Sequence, residues 1–136
     1  MKRYKILEHK ADLKIKVKGS SEEELFLNAL LAMEEGLRPG TKETKEEIKR
    51  EIKIKSIDLP ALLVDFLNEA LYLIQVHKEI YNNVKFKKIT DTELEAELFG
   101  QKLERFGEDI KAVTYHGLDI HQRKDGIWEA TVLFDI

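Results

Sequence analysis

One stretch of this chain constrains its fold more than any other. Leu62, Leu63, Val64, Phe66, Leu67, Ala70, Leu71, Leu73, Ile74 and Val76 recur so densely that a helix over about Leu59–His77 is apolar around almost its whole circumference. The polar residues Asp65, Asn68, Glu69 and Tyr72 fall at i, i+3, i+4 and i+7, one narrow stripe. Such a helix has to lie at the centre of the molecule, and its stripe has to find water or hydrogen-bonding partners. Asp58 and Pro60 suit its start, the first as a cap and the second in a turn where a missing N–H costs least. No apolar run approaches the roughly 18–20 residues that a membrane-crossing helix needs, so the segment reads as core.

The remaining elements arrange themselves around it. Leu13, Ile15 and Val17 alternate with Asp12, Lys14, Lys16 and Lys18, a half-buried strand stopped by Gly19. Ser20 and Ser21 precede Glu23 and Glu24 at capping-box spacing, and Phe26, Ala29, Leu30, Met33 and Leu37 then repeat at helical period, with Gly36 as a stop. Arg38–Lys45, containing Pro39-Gly40, reads as a connection. Ile48, Ile52, Ile54 and Ile57 predict a strand that alternates best over Arg50–Lys55. After the central helix come Val84, Phe86 and Ile89, then Leu94, Ala96 and Leu98 up to Gly100, and a connection over Gln101–Ile110. Lys111–His121 and Ile127–Ile136 close the chain as a hairpin turning at Lys124-Asp125-Gly126. The order predicts an α+β fold, with two main helices packed against a mixed, largely antiparallel β-sheet.

Composition narrows the function. The 136 residues, 43% of them hydrophobic, suit one domain spanning residues 1–136 with a real core. Without cysteine there are no disulfides, zinc-thiolate sites or thiol chemistry. Lys and Arg number 23 against 26 Asp and Glu, a net charge of −3, so no global basic field draws the chain to nucleic acid or anionic membrane. The N-terminal MKRYKILEHKAD has no long apolar segment of the secretory kind, and a cytoplasmic location is expected. Charged residues reach 36%, against about 25% in ordinary domains, a bias shared with heat-adapted proteins.

Few residues are placed to carry chemistry. Asp12 stands where a loop enters a strand, with His9 three residues before it; taken alone, a solvated carboxylate or a turn cap is the plainer account of it. Asp135 adjoins Ile136, whose main-chain carboxylate would lie close to it. Two such anionic groups repel unless a cation joins them, and hard oxygen favours Ca²⁺, Mg²⁺ or Mn²⁺ over zinc. Lys111-Ala-Val-Thr-Tyr115-His116-Gly gathers a cation, a hydroxyl, a phenol and an imidazole on one strand, and Gly117 is placed for a bulge. Lys14, Lys16 and Lys18 make a basic stripe of the kind that often only solvates a strand face. The sequence has no glycine-rich phosphate loop, no G-x-S-x-G and no H-E-x-x-H.

Four segments together resemble the archease family, the small cofactor proteins of the RtcB-type tRNA-splicing RNA ligase. They are His9-Lys-Ala-Asp12, Leu62-Leu-Val-Asp65-Phe-Leu-Asn68-Glu69-Ala-Leu-Tyr72-Leu, Lys111-Ala-Val-Thr-Tyr115-His116-Gly, and Phe134-Asp135-Ile136. The resemblance implies an activator without catalysis of its own. It would promote guanylylation of the ligase and allow multiple turnover in joining RNA ends. It also implies a divalent metal site at Asp12, Asp135 and Ile136, a part for Lys111 in activation, and motif positions at Asp65, Tyr115 and His116. No sequence-specific contact with nucleic acid and no membrane partner is expected. Two other classes compete: a metal-dependent hydrolase or nuclease using Asp12, Asp135 and His116, and a chaperone-like or methyltransferase-modulating binder indifferent to those residues.

Overall fold

The computed structural model describes residues 3–8, 12–41 and 47–136. In chain order these form β1 (Tyr4–Glu8), β2 (Asp12–Gly19), α1 (Glu22–Gly36), β3 (Pro39–Thr41), β4 (Ile48–Lys55), α2 (Leu59–His77), β5 (Glu79–Ile89), β6 (Glu93–Phe106), β7 (Ala112–Gln122) and β8 (Trp128–Asp135). The α+β expectation holds. The strands divide into two four-stranded sheets, and every pairing among the described residues is antiparallel. Sheet 1 has the order β1-β2-β8-β7, and in sheet 2 the long β6 pairs with β3, β4 and β5. Each helix touches both sheets, α1 chiefly through β2 and β5, α2 chiefly through β7.

Both helices start where their caps dictate. The Ser21 hydroxyl accepts the Glu24 N–H at 3.1 Å, while the Glu24 carboxylate turns back to Ser20, accepting from its N–H and its hydroxyl at 3.1 Å each. Asp58 accepts the Ala61 N–H at 2.8 Å, and α2 ends on Lys78 in the left-handed conformation, φ 54°. By length (19 residues) and mean hydropathy (1.4), α2 is apolar enough to cross a membrane, which corrects the reading of its apolar run as too short. Much of it is nevertheless covered by protein: Leu62, Leu63, Val64, Phe66, Leu67, Ala70 and Ile74 are fully or almost fully buried. Phe66 packs between Phe26 of α1 and Phe86 of β5, at ring-centroid distances of 5.6 and 6.3 Å. Tyr72 and Val76, at 57% and 54% exposure, face outward, so α2 is not buried all round.

Three further local expectations change. Residues 39–41, read as connection, pair with the far end of β6. β6 itself runs on to Phe106, through much of what the sequence suggested was a loop. It can do so because Gly100 lets β5 approach closely: a Cβ there would sit 1.8 Å from the Ile80 carbonyl oxygen. β1 completes sheet 1 beside β2, and Ile57 lies outside β4, 87% exposed.

Charge is organised differently in the interior and on the sheet surface. The outer rows of sheet 2 interleave Glu93, Glu95 and Glu97 of β6 with lysines of β4 and β5: Lys49–Glu97 at 2.5 Å, Lys87–Glu97 at 3.1 Å, Lys55–Glu93 at 3.6 Å and Lys53–Glu95 at 3.7 Å. Buried Glu79 is held by Arg50 through two bonds of 2.8 Å and by the Tyr81 hydroxyl at 2.8 Å. Burial works to raise its pKa, yet these donors and Lys102 bring it below the usual carboxylate range. Among the described residues, Glu34 of α1 has no such cation. It is 4% exposed, and one carboxylate oxygen accepts the Tyr81 N–H at 2.7 Å. Burial pushes its pKa from 4.5 up to about 8, partly offset by that bond, so Glu34 is protonated at neutral pH.

Two outcomes follow for stability. Leu67→Ala, at a fully buried position, should destabilise the fold by about 2–5 kcal/mol, measured by urea unfolding. The folded protein holds the Glu34 proton more tightly than the unfolded chain does. Its stability should therefore fall as pH rises from 4.5 to about 8 and level off above that. Glu34→Gln keeps the acceptor for Tyr81 and removes the titration, so the variant's stability should decline less across that window; parallel profiles would refute the assignment.

Candidate functional site

Asp12 opens β2 and Asp135 closes β8, and the two are direct partners across the antiparallel register. Opposed residues of such a pair carry their Cβ atoms about 4.5–5.5 Å apart on the same face of the sheet. Ala112 of β7 stands opposite Asp135 on the other side, and the Lys111 N–H donates to the Asp135 carbonyl at 2.7 Å. Asp12, Asp135 and Lys111 therefore meet at one end of sheet 1, although 122 positions separate Asp12 from the C-terminal side of the group. Ile136 follows directly.

This end opens on a cavity of about 480 Å³ lined by Ile6, Asp12, Leu13, Glu35, Gly36, Arg38, Glu108, Asp109 and Ile136. Two segments the sequence did not single out bring acids there. α1 ends at Gly36, and Glu35 and Gly36 of that end line the opening. The connection after β6 is then tied back to that helix end: the Leu37 carbonyl accepts the N–H groups of Gly107 and Glu108 at 3.1 and 3.0 Å. Glu108 and Asp109 are thus fixed beside the helix end, and among the described residues Arg38 is the one cation in the lining. A signal was present in the sequence, Glu108-Asp109 just ahead of Lys111, but nothing local links it to α1 or β2.

The donors suit a hard cation in kind: carboxylate oxygens next to the negative pole of a helix. Among the described residues, no three His, Asp or Glu side chains already stand close enough together to enclose one. His9 lies outside the described residues.

The other motif residues gather along β7 and α2. The Asn68 side chain behaves as a strand partner for Val113, accepting its N–H at 2.9 Å and donating to its carbonyl at 3.0 Å. Gln75 donates to the Ile110 carbonyl at 2.8 Å. Asp65 accepts from Ser56 at 2.5 Å with one oxygen and from the Tyr115 hydroxyl with the other, a bond that raises the Tyr115 pKa. The polar stripe of α2 thus finds its partners mainly on sheet 1. Past Thr114 the pairing of β7 with β8 breaks and resumes at Asp119, a bulge carrying Tyr115 and His116 outward through Gly117, whose φ of +67° suits glycine. His116 is exposed and sits on this bulge, away from the acidic cavity lining.

A family model described as the archease protein family (MTH1598/TM1083) matches residues 4–136. The chain belongs to the archease family. It is 39% identical to the protein archease of Methanosarcina barkeri over 99% of this chain and 97% of that protein. It is 34% identical to that of Pyrococcus abyssi over the full length of both. Among solved structures, protein 1598 of Methanobacterium thermoautotrophicum superposes with a TM-score of 0.72 at 28% identity, covering both chains completely. An archease from Thermotoga maritima, described as a possible chaperone, shares the fold at a TM-score of 0.70 and 23% identity, covering 97% of this chain and 96% of that one. The archease fold is therefore the frame that brings Asp12, Asp135 and Lys111 together.

Removing the Asn68 side chain tests how that frame is held. Asn68→Ala leaves the buried Val113 N–H and C=O without their partner and should cost about 1–3 kcal/mol. Hydrogen exchange at the Val113 amide should accelerate well beyond what the change in global stability explains; unchanged protection would show that the bond does not hold β7.

Proposed function

We propose that this chain activates an RtcB-type tRNA-splicing RNA ligase, promoting its guanylylation and multiple turnover, and performs no catalysis of its own. The observation that carries this reading is spatial. The segments around Asp12, Asn68, Lys111 and Asp135, dispersed through the sequence, lie on β2, α2, β7 and β8, which are joined by direct backbone or side-chain hydrogen bonds. Family membership over residues 4–136 supports it.

In this reading the acidic end of sheet 1 faces the ligase. Asp12, Asp135 and Ile136 would hold a divalent ion, Ca²⁺, Mg²⁺ or Mn²⁺, which supplies positive charge where the chain's own groups repel one another. Lys111, exposed at the start of β7, offers a compact cation on a flexible stem to a phosphate or an acidic surface of the partner. Tyr115 and His116 extend the contact along the bulge. A protein serving a tRNA-splicing ligase would work in the cytoplasm, with no membrane involved.

Multiple-turnover RNA joining by a cognate ligase, with ligase substoichiometric to RNA, tests this directly. Wild-type protein should stimulate it. Asp12→Ala, Asp135→Ala and Lys111→Ala should each stay folded by circular dichroism and stimulate less. Calorimetric titration with Ca²⁺, Mg²⁺ and Mn²⁺ should show binding that both Asp variants lose. Full stimulation by all three variants would overturn the site, and no stimulation by wild type would overturn the function. Phosphate-ester turnover by the isolated protein would favour a hydrolase instead.

A further inference from the structure

Both sheets are rich in lysine, but they treat the charge in opposite ways. In sheet 2, Lys49, Lys53, Lys55, Lys87 and Lys88 each meet a carboxylate of β6. Sheet 1 carries Lys5 on β1 and Lys14, Lys16 and Lys18 on β2, and among the described residues none of these four forms an ion pair. Lys5 stands directly opposite Lys16, a like-charge juxtaposition that costs stability. Arg3 extends the group, since its carbonyl accepts the Lys18 N–H at 3.0 Å.

The alternation places all four lysines on one face. Their strand neighbours Tyr4, Ile6, Ile15 and Val17 pack on the core side, so the lysines face away from the helices. Lys14, Lys16 and Lys18 repeat every second residue, roughly 6–7 Å apart, and Lys5 of β1 with Arg3 just before it forms a second row one strand spacing away. The nearest acid across the register, Glu129 opposite Lys18, is engaged by Arg123 at 3.2 Å and by His121 at 3.8 Å. Asp12 and Asp135 lie at the far end of the face, and Asp119 is bound to His121 at 3.0 Å. The residues of β2 and β8 on this face include no aromatic side chain: Trp128 and Phe134 fall on the core side.

We infer that the β1–β2 face of sheet 1 binds the phosphate backbone of duplex RNA without regard to sequence. Two rows of uncompensated cations meet a polyanion by charge alone and release its counterions. A face without aromatic residues has no platform on which unpaired bases stack, which disfavours single strands. Duplex RNA, read by shape and phosphates, is the fitting partner under the RNA-joining role proposed above, on which this choice of duplex rests. The net charge of −3 confines this attraction to the face itself.

Fluorescence anisotropy of the isolated protein with a labelled RNA duplex of arbitrary sequence, over a salt series, tests it. The combined variant Lys14→Gln, Lys16→Gln, Lys18→Gln should bind at least about tenfold more weakly at low salt, with the slope of log Kd against log salt reduced by about 2. The same substitution at Lys49, Lys53 and Lys55 should leave affinity within about twofold of wild type, because those cations are already neutralised. Thermal melting at low salt should be unchanged or higher in the first variant, since repulsion with Lys5 is relieved. The inference fails if wild type does not bind duplex RNA at low salt. Equal loss from both triple variants, or tighter binding of a single strand of the same length, would also overturn it. So would unaltered RNA affinity in the first variant alongside weakened ligase binding, which would assign the face to an acidic protein surface. Because binding is read on the isolated protein, a failure of ligase activation leaves this result standing, and the reverse.

Discussion

The two hydrogen bonds between Asn68 and the backbone of Val113 set the relation of helix to sheet on which the rest of the molecule depends. β7 is an edge strand of sheet 1, paired with β8 on one side only. On its other side the Asn68 amide supplies what a further strand would have supplied, one donor and one acceptor, at 3.0 and 2.9 Å. Each such bond contributes only about 0.5–1.5 kcal/mol net, but leaving the buried groups of Val113 unpaired would cost more. The position of β7 then sets that of β8 through the pairs Ala112–Asp135 and Val113–Phe134, and β8 sets β2 through Asp135–Asp12. A polar residue in a strongly apolar helix thereby governs the location of carboxylates several strands away.

The interior uses charge sparingly and in two ways. Glu79 is surrounded by Arg50, Tyr81 and Lys102, a network in which each partner compensates for another's desolvation. Glu34 is compensated by neutralisation instead, keeping its proton while still accepting the Tyr81 N–H. Tyr81 is the point of contact for both, since its N–H serves Glu34 and its hydroxyl serves Glu79. The side chains that fix β5 against α1 and β4 thus converge on one residue near its first bulge. Outside, the Lys–Glu rows of sheet 2 form a network whose members share partners, the arrangement in which ion pairs contribute most at high temperature.

Much of this was legible wherever the determining interaction is local. Asp58 and Pro60 mark the start of α2, Ser21 and Glu24 that of α1, and Asp125-Gly126 the final hairpin, because caps and tight turns are made within a few residues. The demand of the α2 stripe for partners was legible too, though not their identity. What was hidden depends on contacts between distant residues. Residues 39–41 become a strand only because the end of β6 is there to pair with, and β6 reaches that far only because Gly100 admits the Ile80 carbonyl. Glu35, Glu108 and Asp109 reach Asp12 through backbone bonds from Leu37 to Gly107 and Glu108, which no periodicity announces. Asp12 and Asp135 were singled out by their position in strands and by family resemblance; their direct register pairing is a fact of topology.

That pairing also explains how the fold tolerates its acidic end. Among the described residues, Asp12, Glu35, Glu108 and Asp109 line one cavity with a single arginine, and α1 ends beside it with its negative pole. Mutual repulsion would scatter such a group if each acid stood on a free loop. Here the acids are attached to elements whose positions are fixed elsewhere. Leu13 pairs with Phe134, one residue inward from Asp12 and Asp135, and Phe134 is 1% exposed in the common core. The Leu37 carbonyl holds the Glu108 segment by its main chain, leaving the Glu108 side chain outside that bond. Apolar packing, backbone hydrogen bonds and the Asn68 bonds to Val113 therefore set the geometry without drawing on the carboxylates. An anionic pocket held open in this way retains its attraction for a cation or a basic partner, because that attraction has not been spent on folding.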